Sequence, residues 1–208
     1  MLATIAKAFS VPEIRRKLLF VAAMLAIYRL GAYIPAPGVD VEAVKDLESQ
    51  LTGSNILGFL NLFSGGSLSR LSLFALGIMP YITASIILQL MTVVVPSLER
   101  LQKEGETGQQ KITQYTRYLT VALAFAQSFA YVFLFNSLAA GGVSPIGDLT
   151  FPKVSLIVIC LTAGTVLLMW IGELITQRGI GNGISLLIFA SIVSGVLPGI
   201  STWWNNPD

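Results

Sequence analysis

No histidine occurs in the chain and Cys160 is the one cysteine, so the commonest catalytic base, the commonest metal ligand and any disulfide framework are missing from the start. Ser67 sits in Gly65-Gly66-Ser67-Leu68, which has neither the Gly-x-Ser-Gly pattern of an intramembrane protease nor a histidine partner to activate the hydroxyl. Paired aspartates and His-Glu-x-x-His are also missing from the apolar runs. Gly179-Ile180-Gly181-Asn182-Gly183 spaces its glycines like a phosphate loop, but no strand precedes it and no Gly-Lys-Ser/Thr accompanies it. The spacing predicts a tight turn with Asn182 capping the next helix. These patterns point away from an enzyme, and no cofactor or metal is expected.

The polar residues inside apolar runs are mild: Thr83, Ser85 and Gln89, then Gln127, Ser128 and Asn136. None titrates near neutral pH, and hydrogen bonding between helices, worth roughly 0.6 kcal/mol each, is as good a role for them as any site. Arg29 is expected to snorkel outward, and Glu173 to lie where water reaches it. A proton- or cation-coupled carrier holds a charged group near the midplane. No apolar run here has one at its centre, which disfavours ion-coupled transport.

Hydrophobic residues make up 54% of the 208 and charged residues 12%, too few to give a soluble domain its polar shell. The chain reads as an all-α polytopic membrane protein with spans at about 18–34, 72–95, 118–138, 153–172 and 184–200. The first follows Arg15-Arg16-Lys17 like a signal peptide. It lacks a small-residue cleavage site, carries Arg29 and runs on into Tyr33-Ile34-Pro35-Ala36-Pro37-Gly38, so it reads as a retained span. Five spans place the termini on opposite sides. With residues 1–17 cytoplasmic, that side receives Lys7, Arg15, Arg16, Lys17, Arg100, Lys103, Lys111, Arg117 and Arg178, and the other Arg29, Lys45, Arg70 and Lys153. Nine against four predicts a cytoplasmic amino terminus, cytoplasmic loops at 97–117 and 173–183, and an external tail at 201–208.

The second segment is irregular. Ile56 to Phe63 is apolar but too short to cross a bilayer, and Gly65-Gly66 bounds it. Pro80 removes a backbone donor, so the helix should break near Leu76-Gly77 and resume from about Pro80 to Val95. Non-helical backbone at membrane depth survives only where protein buries it or water lines it, which suggests an internal aqueous path. A surface re-entrant loop beside a kinked span is the alternative. Ile78 and Ile82 share a helix face, and by spacing alone they serve packing more readily than a gate. In the loop 97–117, Gly105 and Gly108 predict a turn between two short helical arms, either a solvated connector or a docking surface.

Several strings together carry a specific resemblance. Tyr28-Arg29-Leu30-Gly31 with Ile34-Pro35-x-Pro37-Gly38, Ser67-Leu68-Ser69-Arg70 with Ala75-Leu76-Gly77-Ile78-Met79-Pro80-Tyr81-Ile82, Lys103-Glu104-Gly105-Glu106 with Tyr115-Thr116-Arg117-Tyr118, and Gly172-Glu173 through Gly179-Ile180-Gly181-Asn182-Gly183-Ile184-Ser185 run in one order along the chain. In this the chain resembles the SecY family of channel subunits of the bacterial protein translocase, over the amino-terminal half of that family's ten spans.

The resemblance implies half of an inverted-repeat channel in the bacterial cytoplasmic membrane that passes unfolded polypeptides and releases hydrophobic segments sideways into lipid. It makes residues 56–70 a re-entrant half-helix, the plug, with Ile56, Leu57, Phe59, Leu60, Phe63, Ser67 and Arg70. It matches Ile78, Ile82 and Ile188 to a pore ring, and Thr83, Ile86 and Gln127 to a lateral gate. Arg100, Lys103, Lys111, Arg117 and Arg178 fall in partner-docking loops. The implied partners are the SecE and SecG subunits, the SecA ATPase, the ribosome, the translocating polypeptide, the lipid bilayer and the remaining carboxy-terminal half. An apolar constriction suits such a pore, because it dewets when empty and traps no charge. The competing reading is half of an inverted-repeat secondary transporter whose broken helix holds a small solute.

Overall fold

The structure, a computed structural model, describes residues 11–40, 43, 64–68, 70–138, 146–147 and 149–205. Within these the chain is helical, and prolines set most of the boundaries. Helix α1 (Pro12–Tyr33) starts on a proline in its first turn, where no backbone donor is needed, and stops where Pro35 forces Ile34 into extended geometry. It carries Arg15, Arg16, Lys17 and Arg29 within its length, so the basic residues belong to the helix and do not precede it. Pro80 opens α2 (Met79–Val94), and Pro96 both ends it by extending Val95 and begins α3 (Pro96–Lys103). The two helices meet at a bend of 99°.

Gly105, at φ 75°, turns the chain into α4 (Glu106–Leu138). The expected second arm is therefore not separate, because it is continuous with the third span. Gly108 makes no turn. It lies in the first turn of α4, where a Cβ would stand 1.7 Å from the Leu101 carbonyl oxygen, so its smallness lets α3 pack onto α4. Helix α5 (Phe151–Arg178) runs through most of the expected loop 173–183, leaving a turn of four residues before α6 (Gly183–Asn205). The Asn182 carboxamide oxygen accepts from the amides of Ile184 at 3.0 Å and Ser185 at 3.2 Å, the cap that the sequence predicts. Trp203 and Trp204, expected in a tail, continue α6.

Among the described residues, two helices, α4 and α5, are long and apolar enough to cross a membrane, or three if the bent pair α2–α3 is one span. Residues 56–63, the apolar part of the expected half-helix, lie outside the described residues. The described remainder of that stretch, 64–68 and 70, forms turns, and turns continue to Ile78.

This turn segment holds the molecule together. Leu68, Leu71, Ala75 and Leu76 join Ala124, Val132 and Phe135 of α4 and Ile157, Val158 and Leu161 of α5 in one apolar core. Phe74 and Ile78 join Val21, Tyr28 and Ala32 of α1, Leu168, Ile171 and Ile175 of α5 and Leu187 of α6 in a second. Each large side chain so buried stabilises by roughly 1.5–3 kcal/mol. Buried non-helical backbone needs partners, and Pro35 and Ser72 supply an isolated bridge. In it the Ala36 amide donates to the Leu71 carbonyl and the Leu73 amide to the Ile34 carbonyl, both at 2.9 Å. Leu71 is held at φ 43°, a left-handed conformation that disfavours its side chain by about 1–2 kcal/mol. Gly164 lets α5 reach the same segment, since a Cβ there would lie 1.9 Å from the Leu73 carbonyl oxygen.

Candidate functional site

Ile78 is the last residue before α2, and its carbonyl accepts from the amides of Tyr81 and Ile82, both at 3.1 Å, which closes the first helical turn. Its side chain is buried in the second core, and Ile82 and Ile188 pack against the same cluster. The three residues singled out as a ring, two of them more than a hundred positions from the third, therefore share one cluster with Phe74 and Leu187.

A polar catch adjoins the cluster through Tyr28, one of its members. Tyr28 Oη and Ser191 Oγ are 2.6 Å apart, and Ser191 Oγ donates to the Leu187 carbonyl at 2.9 Å, which leaves its oxygen to accept from Tyr28. A longer contact of 3.5 Å runs from the Tyr28 hydroxyl to the Ser64 carbonyl. Arg29 does not simply snorkel outward: its Nη1 donates to the Gly65 carbonyl at 3.1 Å. Its guanidinium and that of Arg70 both lie over the Tyr33 ring, at 5.4 and 4.4 Å from the centroid. Ser67, expected in the plug, is fully buried, and among the described residues its hydroxyl and that of Ser72 have no hydrogen-bond partner. Of the other plug residues, Ile56, Leu57, Phe59, Leu60 and Phe63 lie outside the described residues. Sequence reading quoted Tyr28 without a role, sent Arg29 outward and did not single out Ser191. Their only signal was a tyrosine, an arginine and a serine within apolar helices.

Helix α2 packs along α4. On it Thr83 donates to its own helix at the Met79 carbonyl, 3.0 Å away, and Ile86 is exposed. Gln127 on α4 is half-buried, and among the described residues it forms no bond to Thr83. Ser128 does bridge helices, lying 3.3 Å from Thr162 Oγ1 on α5.

The basic residues assigned to docking loops are mostly helical. Arg100 is exposed on α3, Lys103 pairs with Glu99 one turn back, and Lys111 lies 3.9 Å from Glu104. Arg117 lies within α4 and grips Glu173 of α5 with two contacts, Nε–Oε1 at 2.8 Å and Nη2–Oε2 at 2.6 Å. Glu173 is accordingly paired and mostly covered, its side chain being 12% exposed. Arg178 ends α5 and is exposed. Among the described residues no group of three or more His, Cys, Asp or Glu could hold a metal ion.

Apolar helices around a buried, hydrogen-bonded, non-helical segment define a helical membrane protein. The family model described as SecY matches residues 72–206, and the chain belongs to that family. It is 52% identical over 200 residues to the protein translocase subunit SecY of Streptomyces galbus, covering 93% of this chain and 46% of that protein. To the subunit of the same name from Escherichia coli K12 it is 49% identical over 189 residues, covering 91% and 42%. The chain thus spans less than half the length of these relatives. Two solved structures share the fold, each with a TM-score of 0.58 at 20% identity over 90% of this chain and 40% of the other. They are described as Sec61 in the canine ribosome–channel complex from the endoplasmic reticulum and as the structure of a protein conducting channel.

Proposed function

We propose that this chain forms the amino-terminal half of the pore-forming subunit of a protein-conducting channel in the bacterial cytoplasmic membrane. The channel passes unfolded polypeptides and releases apolar segments sideways into lipid. The observation that carries this reading is that Ile78, Ile82 and Ile188 share one apolar cluster at the end of a non-helical segment. Such a constriction excludes water when empty and binds no particular side chain when occupied. In this reading five spans place the amino terminus in the cytoplasm, residues 56–70 plug the pore from outside, and Thr83, Ile86 and Gln127 face the lateral gate.

SecE, SecG and the carboxy-terminal half complete the channel. SecA and the ribosome dock on the cytoplasmic face through Arg100, Lys103, Lys111 and Arg178. Arg117, already committed to Glu173, serves there as a brace. The transporter alternative finds no support at the broken helix, whose start presents Ile78, Met79 and Pro80 where a solute site needs polar groups.

The test is a photo-crosslinker placed at position 82 of the complete channel during translocation of an arrested secretory chain. Adducts to the chain at 82, and none with the same probe at exposed Leu90, are expected. Equal labelling at both positions, or none at 82, overturns the reading.

A further inference from the structure

On the helices the buried hydroxyls of Thr116, Thr120, Ser128 and Thr165 each donate to the carbonyl four residues earlier, at 3.0, 2.7, 2.7 and 3.2 Å. A helix supplies that acceptor, and the turn segment does not. Ser67 and Ser72, both fully buried, are the residues among those described whose side-chain polar atoms are buried without a hydrogen-bond partner. Each oxygen is also sealed from water, so the seated segment itself carries the cost of an unpaired hydroxyl.

The settings of the two serines differ. Ser72 is pinned by the bridge to Pro35 and lies between Leu71 and Phe74, which are anchored in separate cores. Ser67 directly follows Gly66, where φ is 81° and a Cβ would meet nothing within 4 Å, so the chain has room to swing there. Upstream of that pivot a few polar contacts hold the Ser64–Gly65 turn. The Leu68 amide donates to Ser64 Oγ at 3.0 Å, the Ser67 amide to the Ser64 carbonyl at 3.3 Å and Arg29 to the Gly65 carbonyl at 3.1 Å.

We propose that Ser67 is the release residue of this segment: its unpaired hydroxyl keeps the Ser64–Gly65 turn weakly seated, and a swing of that turn about Gly66 admits water to the hydroxyl and removes the penalty. Strain of this kind gathers where a segment has to switch. Ser72 keeps its place in both states, so its penalty cancels between them and affects overall stability alone. The purpose of the release rests on the channel reading, in which the turn leads into the plug and its departure opens the pore. The release itself does not depend on that reading.

Native-state amide exchange of the complete channel, resolved at residues 67 and 68 by mass spectrometry and corrected for intrinsic rates, measures the release. Planar-bilayer recording measures spontaneous opening. Ser67→Ala should slow exchange at both amides about tenfold and make openings rarer by a similar factor. Ser72→Ala should change neither while raising the detergent-denaturation midpoint, which separates a release function from a merely unfavourable buried residue. Ser64→Ala removes an acceptor and should speed both processes. Unchanged exchange in Ser67→Ala, or equal slowing in Ser72→Ala, overturns the proposal. Slower exchange in Ser67→Ala with unaltered opening supports the release and overturns its link to the pore, and with it the plug reading.

Discussion

The hydroxyls of Tyr28 and Ser191 share a hydrogen bond of 2.6 Å across 163 residues of sequence, tying the first described helix to the last. The contact is buried and sits against the Ser64–Gly65 backbone, so it fixes the start of the turn segment as well as the helix pair. Tyr28→Phe and Ser191→Ala should each loosen that anchor by about 1 kcal/mol. In the complete channel both should raise resting ion leak in planar bilayers. Because each removes the same bond, the double variant should leak no more than the worse single one, and additive leak would mean that the two residues act separately.

Gly65 and Gly66 invite a paired comparison. Both have positive φ, 64° and 81°, so alanine at either costs about 1–2 kcal/mol of backbone strain. They differ in surroundings: a Cβ on Gly65 would lie 3.1 Å from Ser194 Oγ and 3.2 Å from Tyr28 Oη, while on Gly66 it would meet nothing within 4 Å. Gly65→Ala should raise leak and protease sensitivity more than Gly66→Ala.

The Arg117–Glu173 pair is asymmetric, with side chains 37% and 12% exposed. Without Glu173, the arginine can turn to water. Without Arg117, a covered carboxylate loses its partner. Arg117→Gln should therefore destabilise the complete channel more than Glu173→Gln, by up to about 3 kcal/mol. Detergent-denaturation midpoints of the two variants and the double measure this, and the reverse order would mean that the exposures mislead.

At the ring, replacing Ile78 and Ile82 with serine exchanges apolar surface worth roughly 1.5–3 kcal/mol apiece for hydroxyls. Conductance of the resting channel should rise, and leucine or valine should keep the seal. Leu90 is 63% exposed and gives the control position. A two-serine variant no leakier than Leu90→Ser would remove the ring assignment.

Where a residue acts on its own backbone, sequence reading found it. Pro80 ends the irregular stretch, and Asn182 caps α6, because fixed φ and a short acceptor side chain act within a few residues. Gly105 and Gly108 mark the edge of that reach. Both are glycines near a bend, but one supplies a left-handed turn and the other room for Leu101, and only the position of α3 tells them apart. Arg117 and Glu173 are 56 residues apart, so nothing local says that the arginine of a presumed loop is spent on the glutamate of another helix. Arg29 misled for a similar reason. A cation near the end of an apolar helix normally reaches for water, and here the Gly65 carbonyl accepts from it instead.

The stretch from Leu71 to Ile78 feeds side chains into two separate cores, Leu71, Ala75 and Leu76 into one and Phe74 and Ile78 into the other. A twist in either sense would drag one set out of its socket, so the stretch behaves as a rivet between the two cores. Motion that begins upstream has to stop there. Amides of 71–78 should accordingly be among the last to exchange with deuterated water, even in a channel caught with its pore open.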